Sequence, residues 1–182
     1  MPVLFVESGD SFSWNVVDRL PLARGEVLVR PASAGIPEDV DAVVVGPGPR
    51  DPVRAGLVGL VEEASRRRLP TLGICLGHQA IGLAFGARLE RVEPVHGKVS
   101  QVRFERSRMF AGLEGPLRVM RYHSLALARV VPPLRVVAAT ADGIPMAIEH
   151  EWLPMAGLQF HPDSHFTERG EELLARFFEA LP

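Results

Sequence analysis

The stretch TLGICLGHQA, residues 71–80, holds the chain's only cysteine, set between Gly73 and Gly77 with one residue on each side. A nucleophile in that frame sits on a sharp turn from strand to helix, where glycines let backbone pass that a side chain would block. The turn also puts Cys75 at a helix N-terminus, where the dipole favours thiolate over thiol. The backbone N–H groups that follow, beginning with Leu76, lack intrahelical partners and are free to bind an oxyanion. A second donor is expected from the turn Gly46-Pro47-Gly48-Pro49, which ends a neighbouring strand on the same edge of the sheet. Sheets of this kind bind ligands beyond the carboxyl ends of their strands. The competing reading takes Cys75 as a small buried hydrophobe. It gives no reason for two glycines at the start of a helix.

A nucleophilic cysteine needs a base, and the chain has six histidines. His78 lies three residues into the expected helix, too local to swing onto Cys75. His150, flanked by Glu149 and Glu151, is expected to be solvated. His161 is the better candidate, because the apolar run MAGLQF delivers it to a strand end that Pro162 terminates. Asp163, two residues on, can fix the imidazole tautomer as the third member of a triad.

These residues need a scaffold that brings strand ends together. Short apolar runs at Val3–Val6, Val27–Val29, Asp41–Val45 and Thr71–Ile74 read as strands. They alternate with helical patterns at Ser11–Leu20, Leu57–Arg68 and Leu76–Phe85. Fully apolar strands separated by helices imply an α/β fold, a mostly parallel central sheet with helices on both faces. The second half adds strand candidates at Val99–Phe104, Leu117–Met120, Leu134–Ala139, Met146–Glu149 and Met155–Phe160. Thr167 to Leu181 reads as a closing amphipathic helix with Thr167 as its N-cap. No repeat or linker divides the chain, so residues 1–182 are expected to form a single domain.

Twenty basic against 22 acidic side chains leave a net charge of −2, which argues against nucleic-acid binding. The run Arg66-Arg67-Arg68, after Glu62 and Glu63 and before Pro70, reads as the cationic end of a helix. One cysteine forms no internal disulfide, the start MPVLFVESGD lacks the pattern of a signal peptide, and no apolar run spans a bilayer. A cytoplasmic protein with no membrane partner is expected.

The motifs GPGP (46–49), GICLGHQ (73–79), HGK (96–98), RYHSL (121–125) and GLQFHPDS (157–164) resemble, in order and spacing, those of the class I glutamine amidotransferases. Within that family they are most similar to the glutaminase subunits of anthranilate synthase and aminodeoxychorismate synthase. Asp10-Ser11-Phe12 with Asn15, and the C-terminal TERGEELLARFF, extend the likeness over essentially the whole chain. The resemblance implies the family's flavodoxin-like fold, with extra antiparallel strands in the second half. It implies that L-glutamine is cleaved to glutamate and ammonia, without a cofactor or metal, and that the ammonia passes to a large chorismate-binding synthase subunit. Cys75 would form the glutamyl thioester and His161 would relay protons. Gly48 and Leu76 would supply the oxyanion hole, and Gly46, Pro47, Gly48, Gln79, Ser124 and Leu125 would contact glutamine. His96 to Lys98 would lie near the glutamine site and the partner face. At His96 and His123 this competes evenly with ordinary hydrogen-bonded loop histidines.

Two departures stand out. The family has glutamate two residues after the histidine, and this chain has Asp163. Aspartate is one methylene shorter and leaves the carboxylate about 1 Å short unless the backbone closes up, a misplacement that can cost on the order of 100-fold in rate. The segment Glu7-Ser8-Gly9-Asp10 also replaces the family's Asp-Asn-Tyr-Asp at the rim. Two alternatives fit the same motifs: the glutaminase subunit of a GMP synthetase, which RYHSL and PDSHFTERG disfavour, and a non-catalytic regulatory module, which intact Cys75, Gln79 and His161 disfavour.

Overall fold

The computed structural model describes residues 1–181. In the first half, β1 (Val3–Glu7), β2 (Val27–Pro31), β3 (Ala42–Val45) and β4 (Thr71–Ile74) alternate with α1 (Ser13–Arg19), α2 (Leu57–Arg66) and α3 (Leu76–Ala84). The second half runs β5 (Arg88–Phe104), β6 (Leu117–Arg129), β7 (Leu134–Thr140), β8 (Pro145–His150) and β9 (Met155–Leu158), and closes with α4 (Gly170–Glu179). All nine strands form one sheet in the order β2-β1-β3-β4-β9-β8-β7-β5-β6. The strands β2, β1, β3, β4 and β9 pair in parallel. From β9 onward the pairings with β8, β7, β5 and β6 are antiparallel.

The apolar runs explain the parallel part, because both faces of its strands are covered. Val3 and Phe5 of β1 and Ala42 and Val44 of β3 point to the side of α1 and α4, into one core with Val16, Leu173, Leu174 and Phe177. Leu4, Val6, Val43 and Val45 point the other way, against Leu57, Leu60 and Val61 of α2 and Leu76, Ala80 and Ile81 of α3. A strand buried on both faces has no polar positions to show. Each fully buried side chain of this size contributes about 1.5–3 kcal/mol of transfer free energy.

Three expectations change. β5 has 17 residues and β6 has 13, far beyond Val99–Phe104 and Leu117–Met120. Most of β5 faces solvent, so no apolar period marks it. Pro94 and Gly97 fall where its register with β6 shifts, between Arg91 and Val95 and between His96 and Lys98. Thr167 does not cap α4: that helix starts at Gly170, after Arg169 in the left-handed region, with no side-chain cap. The Thr167 hydroxyl instead donates to the His161 carbonyl at 2.7 Å and accepts the Met120 N–H at 3.0 Å. Helix α2 ends at Arg66, and Arg67 just beyond it donates to the carbonyls of Ile36 and Pro37.

Candidate active site

Cys75 stands at the carboxyl end of β4 with φ 52° and ψ −98°, one of three non-glycine residues with positive φ among the described residues. Such a backbone costs on the order of 1–3 kcal/mol and persists only where its surroundings enforce it. They do so here. The Cys75 N–H donates to Leu158 O of β9 at 2.8 Å, and the Gln79 N–H donates to Cys75 O at 3.2 Å. A Cβ on Gly77 would press into the Val45 carbonyl of β3, and one on Gly73 would press into the backbone of Gly77. The start of α3 therefore rests backbone on backbone against two strands, and only glycine permits that approach.

The glycines of the other turn serve the same purpose. A Cβ on Gly46 would lie 2.7 Å from the Phe5 ring, and one on Gly48 would lie 2.6 Å from the Leu76 side chain and 2.8 Å from Ser8 Cβ. Neither has positive φ. Close packing of the turn, rather than an unusual backbone state, accounts for both. Among the described residues, the N–H groups of Gly48 and Leu76 are taken by no protein acceptor.

His161 follows β9, the parallel neighbour of β4, so adjacent strand ends bring it to Cys75. Its N–H donates to Met120 O at 3.1 Å, and Thr167 ties its carbonyl to β6. A Cβ on Gly170 would run into the Pro162 carbonyl, so the start of α4 presses on the same loop. The Asp163 carboxylate reaches His161 Nδ1, with Oδ1 at 3.2 Å and both side chains 2% exposed. The shorter side chain does not leave a gap. Burial, the largest influence on His161, disfavours the charged ring, but Asp163 and the Cys75 sulfur together outweigh it and push the imidazole up to about 10. Phe12 and Tyr122 stack on each other at 5.1 Å, and both meet the His161 ring edge-on, at 5.5 and 5.1 Å. With Nδ1 held by Asp163, Nε2 is the nitrogen left to exchange protons with Cys75.

The cleft over Cys75 has a volume of about 300 Å³, at the small end of the range for small-molecule sites. Of the residues singled out above, Gly48, Leu76, Gln79, Ser124, Leu125 and His161 line it, while Gly46 and Pro47 are buried behind its wall. Asp163 instead lines a wider adjoining cleft of about 520 Å³, which shares Phe12 and Tyr122. Asp10, Arg50, His96, Tyr122 and His123 also line the inner cleft. The rim loop is self-supporting, with Glu7 accepting the Asp10 N–H at 3.1 Å and Asp10 accepting the Phe12 N–H at 2.8 Å.

Four histidines differ from their simplest reading. His96 and His123 lie on strands β5 and β6, not in loops, and His123 is buried. His150 is buried too: its Nδ1 accepts the N–H groups of Trp152 and Leu153, and its ring meets Phe85 edge-on. His78 is fully buried and packs under Gly157, and burial pushes it down to about 3. A further residue had no mark as a site in the sequence. Gln159, fully buried, donates from Nε2 to Cys75 Sγ at 3.7 Å. The parallel register pairs Ile74 with Leu158, which sets Gln159 beside Cys75 one residue on.

Among the described residues, no group of histidine, cysteine or acidic side chains is arranged to hold a metal, and no helix is long and apolar enough to cross a membrane.

The family described as glutamine amidotransferase class-I matches residues 4–181. An aminodeoxychorismate synthase of Streptomyces griseus is 44% identical over 97% of this chain, which spans only 26% of that relative's length. Anthranilate synthase component 2 of Mycobacterium tuberculosis is 41% identical over 97% of this chain and 81% of its own. Among solved structures, a protein from Thermoplasma acidophilum, provisionally named as part of a GMP synthase, superposes with a TM-score of 0.85 at 22% identity, covering 98% of this chain and 92% of that one. A glutamine amidotransferase from Methylobacillus flagellatus gives 0.76 at 15% identity, over 100% and 95%. At those identities the likeness is one of fold.

Proposed function

Because this chain belongs to the class I glutamine amidotransferases, we propose that it is the glutaminase component of a chorismate-aminating synthase, releasing ammonia from L-glutamine for anthranilate or aminodeoxychorismate synthesis. The observation that carries the chemistry is the strained Cys75 at the start of α3, with the His161–Asp163 pair on the next strand.

The Cys75 sulfur attacks the side-chain carboxamide carbon. The carbonyl π electrons move to oxygen, which the Gly48 and Leu76 N–H groups receive; removing one such donor typically costs about 100- to 1000-fold in rate. Protonated His161 gives its Nε2 proton to the leaving nitrogen, and collapse of the adduct breaks the C–N bond and frees ammonia. The neutral imidazole then takes a proton from water, whose oxygen attacks the thioester. Glutamate leaves, the sulfur regains its electron pair and His161 is protonated again. Asp163 keeps Nδ1 protonated throughout, so that Nε2 does the transfer. Gln79 spends both amide hydrogens within the protein, on Leu125 O and Gln159 Oε1. Its own Oε1 is left to accept from the substrate's α-ammonium. Acidic Asp10 and basic Arg50, both on the cleft wall, suit the two charges of an amino acid.

The chorismate-related reading rests on relatives matched along almost all of this chain, whereas the GMP synthase likeness is one of fold. The test is ammonia release from glutamine by the purified chain, first by itself and then with a chorismate-binding synthase subunit. The reading predicts slow release in the first case and faster release in the second, coupled to amination of chorismate. Coupling only to an ATP-dependent, XMP-aminating partner would replace it.

A further inference from the structure

A polar chain connects a buried cation to the nucleophile, and each of its links can run in only one direction. Arg121, on β6, is 5% exposed and, among the described residues, forms no ion pair; Asp142 acts on it only from beyond ion-pair distance. Its Nε lies 3.0 Å from His123 Nε2. A guanidinium only donates, so His123 Nε2 must be the bare nitrogen. The remaining proton of the neutral ring is then on Nδ1, which lies 2.9 Å from Leu125 O and donates to it. Burial, followed by the Arg121 charge, pushes His123 down to about 4 and keeps it in that neutral form.

The same carbonyl fixes the next links. Leu125 O accepts from Gln79 Nε2 at 3.0 Å, so the amide nitrogen of Gln79 must face it. That nitrogen's other hydrogen reaches Gln159 Oε1 at 3.2 Å. The oxygen of Gln159 therefore faces Gln79, and its nitrogen is turned to Cys75 Sγ at 3.7 Å. An isolated amide could present either end to a sulfur. Here the choice is settled two links away, by the Leu125 carbonyl, which can only accept a hydrogen bond.

We infer that Gln159 is a catalytic residue, an N–H donor to the Cys75 sulfur that favours its thiolate, and that Gln79, itself oriented by the Leu125 carbonyl, is a positioning residue that turns the Gln159 amide nitrogen to the sulfur. The inference rests on Cys75 as the nucleophile proposed above. A donor aimed at sulfur interacts more strongly with a thiolate than with a thiol, as hydrogen bonds to charged groups do. The other charged or titratable groups around Cys75 are His161 with Asp163 after β9, His78 on α3, Tyr122 and His123 on β6, His96 on β5, Asp10 in the rim loop and Arg50 in the turn after β3. Gln159 donates to the sulfur without itself titrating.

The experiment is the rate of Cys75 alkylation by iodoacetamide as a function of pH, on the full chain, for wild type, Gln159→Met and Gln79→Met. Gln159→Met keeps the volume and removes the donor. It should raise the midpoint pH of alkylation by about one unit. Gln79→Met should raise it by less, since the Gln159 amide is freed to turn but not lost. Melting temperatures identify any variant that fails to fold. For that case, the Gln159 side-chain amide resonance of the wild-type chain should follow the same pH midpoint as Cys75 alkylation and shift when Cys75 is alkylated. An unchanged midpoint in a folded Gln159→Met chain overturns the inference, and so does an amide resonance that ignores the sulfur. Neither measurement uses glutamine or a synthase partner, so failure of the proposed synthase role leaves them readable.

Discussion

The two sides of the active site are held by different forces. On the side of β3, β4 and α3, the proposed nucleophile is positioned by backbone pressed on backbone: Gly73, Gly77 and Gly48 leave no room for a Cβ, and Cys75 carries the strain. On the side of β6 and the loop after β9, side-chain hydrogen bonds hold the base and the amides, through Thr167, Asp163, His123 and Gln79. Steric contact fixes where an atom sits and tolerates little change. Hydrogen bonds fix which way a group points and can be altered one at a time. Substitutions on the first side should therefore cost the fold, and those on the second should cost rate or alter pH behaviour.

The largest effect should follow Gly77→Ala, whose new methyl group meets the Val45 carbonyl rather than a flexible side chain. Overpacking costs about 1–3 kcal/mol and occasionally more, and backbone that cannot turn aside puts this case at the upper end. Urea unfolding should show it, whereas Gly59→Ala in α2, with open space around it, should be neutral or stabilising. Equal stability of the two variants would remove the steric half of the comparison.

Next come the losses in rate with little loss of fold. His161→Ala should abolish turnover, because the ring moves every proton. Asp163→Asn keeps the shape but no longer holds the imidazole in one tautomer, and should cost on the order of 100- to 10,000-fold in kcat. Asp163→Glu should also lose rate, since the short carboxylate already reaches Nδ1 in a buried site fitted to it. A gain would mean that the aspartate is a handicap after all.

Legibility in the sequence divided along the same line. The elbow could be read directly, because a steric demand writes glycine at fixed spacing, and apolar runs buried on two faces announce a parallel sheet. The other side could be read only in part: the strand end delivered His161 and Asp163, but the contacts around them did not show. Thr167 carries the local pattern of a helix cap, yet its hydroxyl found stronger partners in His161 and Met120, residues that only the fold brings near. His150 looked solvated because Glu149 and Glu151 flank it. Glu149 accepts the Met109 N–H at 2.8 Å and lies near Arg108 and Arg135, in partnerships set by the sheet. Gln159 could be recognised only once β4 and β9 were known to be neighbours in register.

Acid stability sharpens the comparison further. His78, beneath the elbow, and His123, in the hydrogen-bonded side, are pushed down to about 3 and about 4, in both cases mainly by burial. Their folded values lie below the unfolded value of about 6.5, so between these limits the unfolded chain binds more protons. Their neutral forms give full stability above about pH 6.5. Stability then falls with pH, by about 1.4 kcal/mol per unit for each histidine, until His123 stops contributing near pH 4 and His78 near pH 3. Denaturant unfolding from pH 7 to 3 should show that slope, and His78→Leu should flatten it at the acid end. The strain at Cys75 predicts the smallest effect. Cys75→Gly should be more stable than Cys75→Ala by about 1 kcal/mol, because glycine accepts positive φ freely. Alanine as the more stable of the two would mean that the elbow is not strained.

The central claim is that Cys75 is the nucleophile of a glutaminase, and its most direct test is covalent capture. A glutamine-mimicking electrophile should add one label per chain, found by peptide mass spectrometry on Cys75, with labelling slowed by added L-glutamine and lost in a folded Cys75→Ser chain. A label on any other residue, or glutamine hydrolysis that survives in Cys75→Ser, would contradict the account.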